Sequence, residues 1–479
     1  MRLGDRTAEG YTLLLSSAFL LAAPYFAAGG GYTRISGFKA LLYVLLTLPF
    51  LLTGFMDRPG LRALTRGPER VLTLLWLFFC LLSALFSPWR RTAFSGGSRQ
   101  EGFLHLALYG LSFLLLSLRR SRKEILLPVF AAGILLLDAL SLLQLLGRNP
   151  LGLYPPGMGW ADANLRYAGA YLGTVGNAGQ TGAVLTAAAA LLFLSILEKG
   201  GKRWLLLPLL LFTAWILGGM DQTAPMLALG ILALLCLPLC GSLQRLCRWL
   251  CAVPLSAGAL LGRLLPPGAG LFLAGAALGA WLLLRLGPGE RPARAWSLCL
   301  FVLLPVLGLL FLYRYEGWYA PLAEAGRLLR GELSEGMGSG RVYIWTQVLG
   351  AAKEHLLLGT GPDTLSLRQL APYRYYSEEA GRLVTLSIDA AHSEVLQTLV
   401  CCGLPAAFCH LGLFFCAGLR FFLGREAGRV CAGAALAYAL QAMFGISMCA
   451  SAPIFWVLLA LSISEEGGGF LANAPDPGQ

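Results

Sequence analysis

Apolar stretches of about 17–25 residues, each long enough to cross the hydrocarbon core of a bilayer, recur from one end of this chain to the other. Nothing else in the sequence constrains the fold as strongly. Backbone that crosses lipid must satisfy its hydrogen bonds internally, so a span is a helix or part of a closed barrel. Runs of this length read as helices. The composition agrees: of 479 residues, 57% are hydrophobic and 13% charged, against about 25% charged in soluble domains.

The apolar runs fall near 11–28, 38–55, 71–87, 103–118, 124–147, 178–197, 204–219, 223–240, 249–264, 269–285, 295–313, 394–419, 430–447 and 450–463. Pro254, Gly258, Gly262, Pro266 and Pro267 interrupt the ninth and tenth, which can form one broken hairpin. The expected fold is an all-α polytopic membrane helix bundle of about 12–14 spans. The first run is followed by further spans and no clear cleavage site, so it does not read as a cleavable signal peptide.

Basic residues follow every even-numbered run from the second to the twelfth. Examples are Arg58, Arg62, Arg66 and Arg70 after the second, Arg119, Arg120, Arg122 and Lys123 after the fourth, and Lys199, Lys202 and Arg203 after the sixth. The positive-inside rule places these loops and both termini in the cytoplasm. Most of the net charge of +12 is then topological bias, which removes nucleic acid as the implied partner; membrane lipids take that place. All twelve cysteines lie in or beside apolar runs, with no His or carboxylate spaced to join them around a metal. They read as small core or lipid-facing residues.

One long segment, 314–393, is polar and faces outward on this topology. It divides the chain into a bundle of eleven spans at 1–313, an extracytoplasmic loop at 314–393, and three further spans with a cytoplasmic tail at 394–479. Within the loop, Ser339 is a suitable N-cap, and Arg341, Trp345, Val348 and Ala352 recur at helical spacing on one face. A cation in the first turn of a helix opposes the helix dipole, so Arg341 is well placed if an anion such as phosphate sits there. A guanidinium snorkelling to lipid headgroups is the other reading. Gly359-Thr360-Gly361-Pro362-Asp363 reads as a tight turn with a packing role, since it fits no nucleotide-binding fingerprint.

His392 is the most informative single residue. Asp389 can cap the helix of span twelve, which puts His392 and Glu394 in its first turn. The positive helix end favours a neutral imidazole, available as a base; Asp389 and Glu394 push the other way, and a purely structural His392 stays open. Asp138, inside span five, is a functional candidate by default, or interhelix glue paired with Gln144 or Ser141.

Gly340-Arg341, Trp345 four residues on, Gly359-Thr360-Gly361-Pro362, and Ala391-His392-Ser393 leading to Leu396-Gln397 and Gly403-Leu404 together resemble the O-antigen ligase and polymerase family over about 340–405. Arg166 followed by Gly173-Thr174-Val175-Gly176-Asn177 resembles an earlier segment of that family. These are bacterial membrane glycosyltransferases using polyprenyl-diphosphate-linked glycans outside the cytoplasmic membrane. The resemblance implies a catalytic His392 and a substrate-binding set of Arg341, Arg166, Trp345, Asn177, Gln222, Ser393 and Glu394. It implies no metal and no cofactor, with a lipid-linked glycan donor and a glycan, lipid or cell-wall acceptor as partners. Two positions depart from the family pattern: Ser393 where Asn usually follows the His, and Asp221-Gln222-Thr223 where the family often has Ser-Arg-Gly. The rival classes are a transporter or flippase of lipid-linked glycans and a non-catalytic scaffold of a surface-polymer assembly.

Overall fold

A computed structural model describes residues 3–23, 31–56, 61–97, 99–119, 123–155, 157–159, 162, 173–220, 222–262, 267–285, 291–377 and 382–464. The chain is a helical, multi-pass membrane bundle. Among the described residues, seven helices are long and apolar enough to cross a membrane: Ile35–Met56, Pro68–Phe86, Leu126–Leu145, Ala178–Lys199, Gly201–Gly219, Arg294–Arg314 and Leu404–Leu423. Four shorter apolar helices, Phe103–Leu116, Thr223–Leu239, Ala269–Leu282 and Ala452–Ile463, lie where further spans were expected.

The central helix is Ala178–Lys199, whose apolar window is buried at every position. Its sequence is apolar or small on all faces, as a helix enclosed by others must be. Asn177 starts it: the side-chain carbonyl accepts from the N–H groups of Gly179 at 2.8 Å and Gln180 at 3.2 Å, as an N-cap does. Glu426–Ala442 packs against it through small residues, which let helix backbones approach closely in lipid. At Gly433 a Cβ would come within 2.3 Å of the Leu194 side chain and 2.8 Å of Phe421.

At the C-terminal end of the central helix, several of the basic residues are tied into ion pairs. Glu198 accepts from Arg245 at 2.8 Å and Arg429 at 3.0 Å. Glu69 pairs with Arg420 at 2.7 Å, both buried, and Arg70 Nε donates to the Ser117 hydroxyl at 2.8 Å. Topological bias alone therefore does not account for these arginines; they also join one helix to the next.

Span twelve, expected as one helix over 394–419, is two: Glu394–Cys402 and Leu404–Leu423. The break falls at Gly403, whose φ of 85° only glycine adopts freely. A Cβ there would lie 2.1 Å from the Leu357 carbonyl oxygen, and a Cβ on Gly359 would lie 2.3 Å from the backbone of Cys401. Two glycines thus let the 355–361 turn interlock with the break. The Leu404 N–H donates to Leu356 O at 2.8 Å, and the Gly361 N–H to Cys401 O at 2.7 Å.

The 314–393 segment is folded. It holds the helices Ala320–Leu329 and Met337–Glu354 and an antiparallel hairpin, Tyr373–Ser377 with Arg382–Leu386, in which Tyr375 faces Val384. The hairpin was not foreseen; its aromatic and β-branched residues suit a pleated surface. Asp138 takes a different partner from those expected. Thr213 Oγ1 donates to its carboxyl at 2.6 Å, while Ser141 bonds back to its own helix and Gln144 accepts from the Gly173 N–H.

Candidate active site

Arg341 opens the regular part of its helix after three successive left-handed residues, Gly338 (φ 64°), Ser339 (φ 58°) and Gly340 (φ 82°). Ser339 is therefore not the N-cap expected of it, because a cap is extended and bonds back to the helix. The turn has two anchors. The Gly338 N–H donates to Glu324 Oε2 at 2.8 Å, and Gly340 lies under the Tyr373 ring, where a Cβ would stand 2.7 Å from it. Arg341 is half-buried; its Nη1 donates to the Gly338 carbonyl at 2.8 Å, and its Nε is buried without a hydrogen-bond partner. Burial lowers its proton affinity and Glu324 opposes that. Past Arg341 the helix buries Ile344, Val348, Ala351 and Ala352, so the expected apolar face holds.

Trp345, on that helix, has its indole N–H on the carbonyl of Ala391 at 2.9 Å. The N–H of Ala391 is taken by Gln397 Oε1, also at 2.9 Å. Fully buried Ala391 is thus gripped on both sides, and the next residue is His392. Its φ is 48°, a left-handed conformation that costs a non-glycine residue on the order of 1–2 kcal/mol. Such strain persists where surroundings over-determine it, and the grip on Ala391 supplies that here. His392 is not in the first turn of a helix: Ser393, buried, is the residue before Glu394–Cys402. Asp389 does not cap it either; its carboxylate pairs with Arg99 Nη2 at 3.0 Å.

Arg99 arrives on the 96–102 loop, which the Gly359-to-Asp363 turn holds in place. Asp363 Oδ2 accepts from the N–H groups of Gly97 at 2.6 Å and Glu101 at 3.3 Å, and Ser87 Oγ donates to Thr360 O at 2.6 Å. The turn has the packing role expected of it. Arg99 is 8% exposed and its Nη1 is buried without a hydrogen-bond partner. Beside it, a cavity of about 40 Å³ is lined by Arg99, Glu101, Asp363, Glu394 and Gln397.

Desolvation, then Arg341 and Arg99, together lower the His392 imidazole to about 4, against the opposing effect of Asp389. Desolvation pushes the Glu394 carboxyl up to about 7, against the Ser447 N–H it accepts at 3.2 Å. Glu101 is raised well above the usual carboxylate range by desolvation, although Tyr109 donates to it at 2.7 Å. No side-chain hydrogen bond occupies the His392 ring among the described residues. His410, by contrast, bonds Thr398 at 2.9 Å amid Trp76, Phe414 and Trp456, which makes it a packing residue.

The other expected site residues fall as follows. Arg166 lies outside the described residues. Asn177 commits its carbonyl to capping the central helix. Gln222 donates to Met220 O at 3.3 Å and stands beside Gly182, near the start of that helix. Gln180 of the same turn donates to Ile446 O, next to the Ser447 that bonds Glu394. Gln222 therefore shares an end of the bundle with His392. Arg99 was missed because only the fold brings it to the loop. Gln397 had a signal, its place shortly after Ala391-His392, but no role was read into it.

A neutral imidazole near two guanidiniums can accept a proton while the cations hold an anion. The family described as O-antigen ligase matches residues 267–411 of this chain. That stretch contains Arg341, Trp345, His392, Ser393, Glu394 and Gln397 but neither Arg99 nor Gln222. No curated protein matches the chain.

Proposed function

We propose, from the match of the O-antigen ligase family to residues 267–411, that this membrane protein moves a glycan from a polyprenyl-diphosphate donor to an acceptor hydroxyl. The reaction takes place outside the bacterial cytoplasmic membrane, with both termini inside. The family match says the chain processes glycans in a membrane; the single observation that carries the finer reading is the His392 imidazole in the field of Arg341 and Arg99.

In this reading Arg341 and Arg99 hold the donor diphosphate, and Arg166 joins them. The acceptor oxygen attacks the anomeric carbon as the bond to the diphosphate oxygen breaks. The leaving diphosphate keeps the bonding pair, and its charge is met by guanidinium forks suited to bidentate contact. His392 takes the acceptor proton. Trp345 and Gln397 act as positioning residues through Ala391. Gln222 offers an amide that donates a hydrogen bond without charge, and Ser393 and Glu394, which follow the base in the chain, take part in binding the substrate. The donor is already activated, so the chemistry needs no nucleotide.

The test is reconstitution of the purified chain in liposomes with a labelled polyprenyl-diphosphate oligosaccharide and an acceptor glycan. The reading expects labelled acceptor and free polyprenyl diphosphate in equal amounts. Label crossing the bilayer with the donor intact would replace it with a carrier.

A further inference from the structure

A groove of about 390 Å³ runs between helices along the central helix, from Leu20 and Pro453 toward its start to Lys199 and Arg203 at the end away from His392, a size typical of ligand sites. Its position follows from the central helix. Gln180, near the start of that helix, is linked through Ile446 and Ser447 to Glu394. Lys199, at the far end, is nineteen residues on, about 28 Å at 1.5 Å per residue.

The groove wall is apolar in effect. Its hydroxyls, on Thr12, Ser16 and Ser195, all donate to carbonyls of their own helices at 2.7–2.8 Å, so they offer no donor to a ligand. No carboxylate lines it. Its only charged lining residues are Lys199 and Arg203. The nearby carboxylate, Glu198, is already held by Arg245 and Arg429, and neither Lys199 nor Arg203 makes an ion pair among the described residues. The local charge is a surplus of cations at the mouth of a hydrocarbon slot.

We propose that this groove is a binding site for an anionic glycerophospholipid of the cytoplasmic leaflet, one acyl chain in the slot and the phosphate on Lys199 and Arg203. A groove facing lipid fills with hydrocarbon whatever its sequence; the two cations, without an ion pair among the described residues, are what select a headgroup. Basic pockets between helices on the cytoplasmic side are suited to anionic headgroups. The site is separate from the glycan site and does not depend on that chemistry.

The test is native mass spectrometry of the full chain equilibrated with equimolar phosphatidylglycerol and phosphatidylcholine, then with added polyprenyl monophosphate. Wild type should retain phosphatidylglycerol about tenfold or more over phosphatidylcholine. The Lys199→Gln/Arg203→Gln variant should lose that preference but still retain lipid. Leu127→Trp, at the half-buried rim, should reduce retention of both. An equal preference in wild type, or a preference the double variant keeps, overturns the proposal. Displacement of phosphatidylglycerol by equimolar polyprenyl phosphate also overturns it, by making a prenyl chain the occupant.

Discussion

Arg341 and Arg99 act on His392 with a definite sign. Cations disfavour the imidazolium, so together with burial they hold the ring neutral from about pH 4 upward instead of 6.5. Between those values the unfolded chain binds more protons than the folded one, so this group makes stability rise with pH across that window. A bound diphosphate would cancel the cations and raise the imidazole. Since kcat/KM reports the free protein and kcat the complex, the acid limb assigned to His392 should lie near pH 4 in kcat/KM and higher in kcat. Glu394, at about 7, adds a second limb that Glu394→Gln should remove. Arg341→Lys should lower kcat/KM about tenfold or more, because an ammonium cannot form the planar fork; equal transfer by the Lys variant would exclude diphosphate binding by Arg341. Arg341, Trp345 and His392 were legible because they stand in one polar loop of an apolar chain. Arg99 was not, since nothing within a few residues of it marks the Asp389 contact that the fold creates.

Between the helix that carries Arg341 and the short helix after His392, the connection is a pair of hydrogen bonds on Ala391. Trp345→Phe keeps the ring that faces Phe444 but leaves a buried carbonyl without its donor, a cost of about 1–3 kcal/mol. The strained His392 should then relax, so kcat should fall while KM for the donor changes little. A lowered melting temperature with unchanged kcat would mean the indole only supports the fold. Helix placement was legible from hydropathy, since a span's length is set by the bilayer. The break at Gly403 was not, because hydropathy runs straight through it; the cause is the close approach of the 355–361 backbone, a tertiary contact. For the same reason His392 was expected in a helical turn it does not occupy.

Across the whole molecule, one end of the bundle gathers the polar loop, His392 and the start of the central helix, while the other gathers arginines around Glu198 and Glu69. In the proposed topology the second end is the cytoplasmic one, in keeping with its basic loops. Cysteine labelling from outside intact cells should reach Glu332→Cys and not Gln479→Cys; protection of the first would place the glycan site on the wrong side for an external acceptor. The helical bundle could be read from composition. The ion pairs that join the basic end could not, because their partners come from runs distant in sequence. The account stands most directly on transfer by His392→Gln in liposomes, with donor binding measured alongside. Gln keeps much of the size and hydrogen bonding but accepts no proton at neutral pH. A positioned base contributes about 10²–10⁴-fold, so the variant should bind donor normally and transfer at least about a hundredfold more slowly. Transfer near the wild-type rate would contradict the assignment of His392 as the base.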